Sequence, residues 1–352
     1  MNSLSGSATY NANDTVVLRP REVCSAFFFE IRPIERLVRQ TPLVALGEHR
    51  CPSSHVLFSG GGPQTVPFIG FMRTSVIRTF DDSRSEVHTP NVAGFHNIGS
   101  WYERRAIDDL GDNSDWIVVS PPLLAELTDS VGAEKFGRDS RLFSRPFAPL
   151  AANSYIAQRH LFDVLNSDGG SSLSDLAVEE YTLHLVRAIL WGAAQFWGTR
   201  PSKRKSRPTC ERKRKSVVEA IKQKIATEYW SNQSLVTLAR AVHSSPGQLA
   251  RIFPIHTGFS IHSYQEQIRL RVSLELLRES PFEISDVATQ LGFSNHSHFS
   301  TVFRRRFGIS PSQFAKSRSR GLARSFIDSL DQSFMLGASS KCKRSQRLSW
   351  LL

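Results

Sequence analysis

Near its C-terminal end the chain reads ISDVATQLGFSNHSHFSTVFRRRFGISPSQF, from Ile284 to Phe314, and its polar residues suit contact with a nucleic acid. His296, Ser297, Ser300 and Thr301 are short donors and acceptors, the kind that reach base edges in a groove. Arg304 follows as a cation of the kind that holds phosphate. Such chemistry needs those side chains on one side of a helix, with the other side anchored in a core.

The spacing supplies that anchor. Phe299, Val302, Phe303 and Phe307 fall at i, i+3, i+4 and i+8, one apolar stripe on a helix, which leaves the polar set on the opposite side. Leu291-Gly292-Phe293 predicts the turn before it, because glycine enters φ > 0 without a Cβ penalty. Ser294 or Asn295 can cap the helix by accepting from its first free N–H groups. A short helix precedes the turn and a proline-started one follows. Three consecutive arginines by themselves more often form a solvated face; the whole pattern, not that run, points to a recognition helix.

A similar, weaker unit lies upstream. Leu235, Leu238, Ala239 and Val242 predict a short helix, His243-Ser244-Ser245 a turn, and Pro246 the start of a second helix, where its missing N–H costs nothing. Leu249, Ile252 and Phe253 form that helix's apolar stripe. Between the units, Ser260 to Leu277 carries Tyr264, Ile268, Val272 and Leu276 at four-residue steps. Eighteen residues at ~1.5 Å each make a helix of ~27 Å. With the offset of each recognition helix, the separation approaches the ~34 Å turn of B-DNA, so both units could reach successive major grooves.

Charge is distributed to match. Residues 201–352 hold 26 Lys+Arg against 10 Asp+Glu, a net of +16, whereas the first 200 hold 18 against 22, a net of −4. A split of this kind is expected where one domain meets a polyanion, although a basic tail on an unrelated domain would give a similar figure. Cys24, Cys51, Cys210 and Cys342 are widely spaced, without CxxC or a His/Cys cluster, which argues against a disulfide framework or structural zinc. His49, His55, His88 and His96 lack HxH spacing, and His296 and His298 point apart on a helix, so no metal set is expected. No G-x-S-x-G or Cys–His pairing stands out, so no catalytic residue and no cofactor is assigned. MNSLSGSATYNAND has no basic n-region or apolar h-region, and no apolar run approaches the ~20 residues needed to span a bilayer. The expectation is a cytoplasmic protein without a membrane partner.

The domain plan is α+β. Residues 1–20 read as a mobile arm. From about Val23 to Val119 the runs CSAFFF, HVLF, PFIGF, SVIRTF, NVAGF and DWIVV between turn formers predict a mostly β barrel or sandwich. Gly60-Gly61-Gly62-Pro63 lacks a following Lys-Ser/Thr and helix, so it is read as a turn rather than a phosphate loop. Helices follow Pro121-Pro122: one with the stripe Tyr155, Leu161, Phe162 and Leu165, and another from Asp175 to about Phe196. Leu176, Val178, Tyr181, Leu183, Leu185, Val186, Ile189 and Leu190 nearly surround the latter, so it is either buried or shared with a second subunit. Residues 21–197 thus form a first domain. Residues 198–215, with two prolines, nine cations and one acid, read as a basic linker, and residues 319–352 as a tail of unknown role.

Residues 216–318 resemble the AraC/XylS-type DNA-binding domain. The resemblance rests on LVTLARAVHSSPGQLARIF, IRLRVSLELL and the Ile284–Phe314 stretch, whose order of I, A, LGF, F, VF, R, FG and SPSQF is specific. The N-terminal part resembles, far more weakly, the β-rich, cupin-like regulatory and dimerisation halves of that family, chiefly through SWYERRAIDDLGDNSDWIVVSP. The resemblance implies a transcription regulator, most often an activator, that binds promoter DNA repeats as a homodimer, contacts RNA polymerase and answers to a small-molecule effector. It implies base reading by His296, Ser297, Ser300 and Thr301, and phosphate contacts by Arg304, Arg305 and Lys316. In the first unit the matching places are Gly247, Ala250 and Arg251, of which only Arg251 can make a bidentate base contact. Pro254 and Ile255 stand where the family usually carries cations, and Pro254 tends to end the helix there, leaving more of the affinity to the second unit. Ser273 replaces the family's usual alanine. Two other readings are a nonspecific DNA-binding protein and, less favoured, a DNA-alkyl acceptor using Cys51.

Overall fold

The computed structural model describes residues 34–80, 84–132, 136, 141–167, 170, 173–199, 208–279 and 283–317. The arm at 1–20, the CSAFFF run and the tail at 319–352 lie outside the described residues.

Among the described residues, ten strands form two antiparallel sheets. The first has six strands in the order β1 (Glu35–Gln40), β2 (Val44–Cys51), β9 (Asp112–Val119), β4 (Phe68–Met72), β7 (Val92–His96) and β10 (Phe147–Pro149); the second has β3 (Gly60–Gly61), β8 (Tyr102–Ala106), β5 (Val76–Phe80) and β6 (Ser85–His88). The period of two along β9 organises both layers. Asp115, Ile117 and Val119 point to one face, where Ile117 and Val119 join Val44, Leu46, Ile69 and Phe71 in the main apolar core. Asp112, Ser114, Trp116 and Val118 point the other way. Trp116 lies opposite Gly47 in register, and a Cβ there would meet its ring at 2.0 Å.

The space between the sheets is polar. Asp112, with no exposed surface, pairs with Arg78 at 3.2 Å and Arg104 at 3.1 Å, and Arg104 also meets His49 Nε2 at 2.5 Å. His96 lies 3.2 Å from Arg78 and stacks on Phe68. The cavity left there is about 30 Å³, room for a few waters but far below the ~300 Å³ of a small-molecule pocket.

Helices cover the outer face of the larger sheet: α1 (Pro121–Ser130), α2 (Ala152–Asn166) and α3 (Asp175–Thr199). Tyr155, Leu161 and Phe162 are buried as the α2 stripe requires. On α3, Val178, Leu185, Val186, Ile189 and Leu190 are buried, but Leu176 and Trp191 are 72% and 51% exposed, so the apolar circumference is only partly covered.

Several expectations need correction. HVLF is not a strand but successive turns, with His55 N–H donating to Pro52 O and Phe58 N–H to His55 O, because Pro52-Ser53-Ser54 breaks the extension. Gly60–Gly61 is a short strand paired with β8, and only Gly62, at φ +121, is turn-like. The stretch 198–215 is not linker throughout: α3 runs to Thr199 and α4 (Pro208–Thr227) begins inside it. Pro208 suits a first helical turn, and Glu-Arg-Lys-Arg-Lys are good helix formers.

Candidate nucleic-acid interface

Beyond α4 come α5 (Leu235–Ala241), α6 (Pro246–Thr257), α7 (Ile261–Glu279), α8 (Ile284–Gln290), α9 (His296–Phe307) and α10 (Pro311–Ser317). In the second unit Gly292 takes φ +74, and Asn295 caps α9 by accepting from the His298 N–H at 2.8 Å. Phe299, Val302, Phe303 and Phe307 are buried, and the Phe303 ring touches those of Phe299 and Phe307. Gly308, at φ +77, closes the helix with its N–H on Arg304 O.

The opposite face is open. His296, Ser297, Thr301, Arg304 and Arg305 are exposed and Ser300 is half-buried. His296 Nε2 and Ser300 Oγ approach to 3.4 Å, one turn apart. The three arginines have separate environments. Arg306 donates to Ser263 Oγ at 3.1 Å and pairs with Glu266 at 3.2 Å; Arg305 lies 3.7 Å from the same carboxylate, and Arg304 projects without it. The run therefore contains a fastener to α7 as well as cations for a ligand, a division the bare RRR did not show. The signal was Arg306 three residues after Phe303, at the edge of the buried stripe. Lys316, on α10, is exposed.

The first unit has the same plan. Ser234 caps α5 by accepting from Thr237 N–H, Ser245 caps α6 by accepting from Gln248 N–H, and Leu249, Ile252 and Phe253 are buried. Gly247, Ala250 and Arg251 are exposed on α6. Pro254 does not end the helix, contrary to expectation: α6 runs on to Thr257, and Gly258, at φ +79, caps it. The missing Pro254 N–H costs one bond, to the carbonyl of the exposed Ala250, and Thr257 Oγ1 donates to Phe253 O at 2.8 Å in the last turn.

The joining helix forms as its four-residue steps predict, and it is covered on more sides than its one stripe implies. It runs from Ile261 to Glu279, but buried residues surround it: Tyr264, Gln267, Ile268, Arg269, Leu270, Arg271, Ser273 and Leu274. The N-terminal β-rich half supplies the cover on one side. Tyr264 Oη meets Thr89 Oγ1 at 2.8 Å, and Asn91 Nδ2 donates to Tyr264 O at 2.8 Å. Arg271 donates to Pro90 O and to Leu150 O and lies over the Tyr155 ring at 4.7 Å; burial pulls its pKa down to about 10. Ser273, the alanine replacement, donates to Leu270 O at 2.6 Å within the helix. Arg159 of α2 pairs with Asp115 at 3.0 Å and Glu275 at 2.9 Å. Burial works against its charge, but the two carboxylates outweigh it and hold its pKa above the ordinary value.

The two units are thus anchored differently. Phe299, Val302, Phe303 and Phe307 belong to the core that also holds Tyr155, Leu161 and the larger sheet, and α2 packs directly on α9. Leu238, Leu249, Ile252 and Phe253 form a separate core with α4 and Tyr264.

Other candidate chemistry is weaker. His88 and His96 are fully buried and held uncharged well below the usual histidine range, first by burial and then by Arg78. Cys51 is buried, and burial pushes its thiol up to about 11, the reverse of an activated nucleophile. Among the described residues, no helix is long and apolar enough to cross a membrane.

Residues 238–317 match the family described as a helix-turn-helix domain. The chain is 33% identical over 102 residues to the Msm operon regulatory protein of Streptococcus mutans serotype c, covering 29% of this chain and 37% of that protein. It is 42% identical over 72 residues to the HTH-type transcriptional activator RhaR of Pectobacterium atrosepticum, covering 20% and 25%. The chain thus matches only 25% to 37% of the length of these relatives. Among solved structures, ToxT from Vibrio cholerae aligns over 78% of this chain and 98% of that one, with a TM-score of 0.32 and 12% identity. On the sequence match, the C-terminal part of this chain is an AraC-type helix-turn-helix domain.

Proposed function

We propose that the protein is a sequence-specific DNA-binding transcription regulator, an activator, in which residues 216–318 bind promoter DNA and residues 21–197 control them. The observation that carries this reading is α9: four short polar side chains and Arg304 present an open face, while four buried apolar residues fix the helix from behind. His296, Ser297, Ser300 and Thr301 read bases there, with Arg251 reading in the first unit, and Arg304, Arg305 and Lys316 hold phosphates. Similarity to a protein named as an operon regulator supports the regulatory role, and similarity to one named as a transcriptional activator supports its sign. The protein acts in the cytoplasm as a homodimer and works with RNA polymerase. The exposed Leu176 and Trp191 on α3 support a second copy there. A small-molecule effector acts through the regulatory half, which touches α7 along much of its length.

Footprinting of the full-length protein on genomic DNA tests the reading. The expected result is protection of discrete repeats near promoters. Uniform protection that disappears with salt, without sequence preference, would indicate nonspecific polyanion binding instead.

A further inference from the structure

Arg269, in the middle of α7, is 8% exposed yet has no carboxylate within ion-pair distance among the described residues. Its guanidinium collects oxygens from two segments far apart in the chain. Nε donates to Tyr229 O at 2.5 Å, and Nη2 donates to Ser231 O at 3.2 Å and Asn232 Oδ1 at 2.9 Å; all three belong to the loop entering α5. Nη1 donates to Gly292 O at 3.1 Å, in the turn between α8 and α9. One helical turn earlier, Gln265 Nε2 donates to Tyr229 O at 3.0 Å and Ser231 O at 2.6 Å.

The two segments also touch each other. Asn232 Nδ2 donates to Gly292 O at 3.3 Å, and a Cβ on Gly292 would lie 1.9 Å from Trp230 O. Gly292 therefore serves twice: it takes the positive φ of the turn, and it lets the first unit's entry loop approach closely. A planar five-donor fork can hold this arrangement where a lysine, with three donors at one point, cannot.

Each captured segment leads straight into a DNA-reading unit. Ser234 caps α5 two residues after Asn232, and Asn295 caps α9 three residues after Gly292. We infer that Arg269, supported by Gln265, is a positioning residue that fixes the phase between the two DNA-reading units and so sets which spacing of the two half-sites the protein accepts. The inference rests on both units binding one DNA.

The consequence is a narrow spacing preference. One inserted base pair moves a half-site by ~3.4 Å and rotates it by roughly 35° about the duplex, a displacement a rigid pair of readers cannot follow. The test uses the full-length chain on a footprinted site and on versions with one or two base pairs added or removed between the half-sites. Wild type is expected to lose roughly tenfold or more in affinity per altered spacing, comparable to a mismatched base pair. Arg269→Ala should flatten that profile to within about threefold at comparable salt, with Arg269→Lys in between. A variant profile as sharp as wild type, merely shifted to weaker binding, overturns the inference. If Arg269→Ala does not fold, Gln265→Ala takes its place, with partial flattening expected and an unchanged profile overturning it.

A measurement without DNA separates this inference from the functional reading. Spin labels at Gln248→Cys and Ser312→Cys, in a cysteine-free background, report the distance between α6 and α10. The distribution should broaden in Arg269→Ala even if no specific DNA site is found. An unbroadened distribution overturns the inference independently of what the protein binds.

Discussion

Arg159 and Glu275 form a 2.9 Å ion pair across the boundary between the N-terminal β-rich half and the helix that joins the two helix-turn-helix units. Arg159 is fully buried on α2, and its other partner, Asp115, is fully buried on β9. Asp112 lies on the opposite face of that strand, between Arg78 and Arg104 in the sandwich interior. A single strand therefore connects the polar cluster inside the N-terminal sandwich to the joining helix through two buried carboxylates.

The two partners of this ion pair should respond unequally to substitution. Arg159→Ala leaves Asp115 short of one cation and opens a void beside Tyr155, so a loss of about 3–5 kcal/mol is expected. Glu275 is partly solvated, and in Glu275→Gln the amide oxygen still accepts from Arg159, so that loss should be below about 1 kcal/mol. Urea denaturation of the full-length chain measures both. Equal losses would contradict the assignment of Arg159 as the buried centre of the network.

Acid should destabilise the protein in two stages. His88 and His96 are buried uncharged with folded pKa values below their unfolded ones, so the unfolded chain binds more protons once the pH falls below about 6.5. Stability is then lost progressively as the pH falls from there toward the depressed folded values. Asp112 and Asp115 also have lowered folded pKa values: burial opposes their charge, but Arg78, His49 and Arg104 outweigh it for Asp112, and Arg73, Arg159 and Arg50 for Asp115. Their contribution is complete above about pH 4 and is lost as the pH falls below it. Arg78, Lys222, His96 and Asp112 face His88, and its ring packs near Phe80 and Phe147. His88→Phe should reduce the slope of stability between about pH 6.5 and 5. A urea midpoint that is flat over that range in wild type would show that the buried histidines carry no linkage.

The sequence showed α9 almost completely, because a 3.6-residue apolar period, a glycine turn and a cap residue are all local signals. It showed β4, β5, β7 and β9 as apolar runs but not the other six described strands, among them β8, where Arg104 occupies an inward position that the alternation would assign to an apolar residue. Arg269 and Arg271 were the hardest to read. On one helix they resemble solvated cations, and only the third dimension brings Tyr229, Gly292, Pro90 and Leu150 carbonyls to them. A usable clue was that Ile268, Leu270 and Leu274 already take more than one face of α7, leaving little room for either arginine to reach water. The proline in α6 does not end the helix because its missing N–H forfeits only one bond, to the carbonyl of the exposed Ala250, and the positive-φ Gly258 sets the end instead.

Self-association should depend on the open face of α3. Trp191, 51% exposed, and Leu176, 72% exposed, lie on a helix otherwise packed against the core. Trp191→Glu should leave stability within about 0.5 kcal/mol, since the ring contributes little to the monomer's core, while shifting the protein toward monomer. Sedimentation equilibrium at micromolar concentration gives the answer. An unchanged dimer would move the interface elsewhere, and a monomeric wild type would remove the homodimer from the proposal.

The sharpest distinction lies within α9. Arg304 is exposed and apart from the Glu266 pairing that holds Arg306, so Arg304→Ala should weaken binding to every DNA sequence and lower the salt slope by about 1. His296→Ala and Thr301→Ala remove groups near the start and middle of the open face. They should change which sequences are preferred, by roughly 1–3 kcal/mol at single base positions, with little change in salt slope. Arg306→Ala should behave differently from both, releasing α9 from Ser263 and Glu266 and lowering stability before it alters sequence preference. Binding to a randomised library at two salt concentrations resolves all four variants. If Arg304→Ala, His296→Ala and Thr301→Ala reduce affinity equally on every sequence, the division of α9 into base readers and a phosphate holder is wrong.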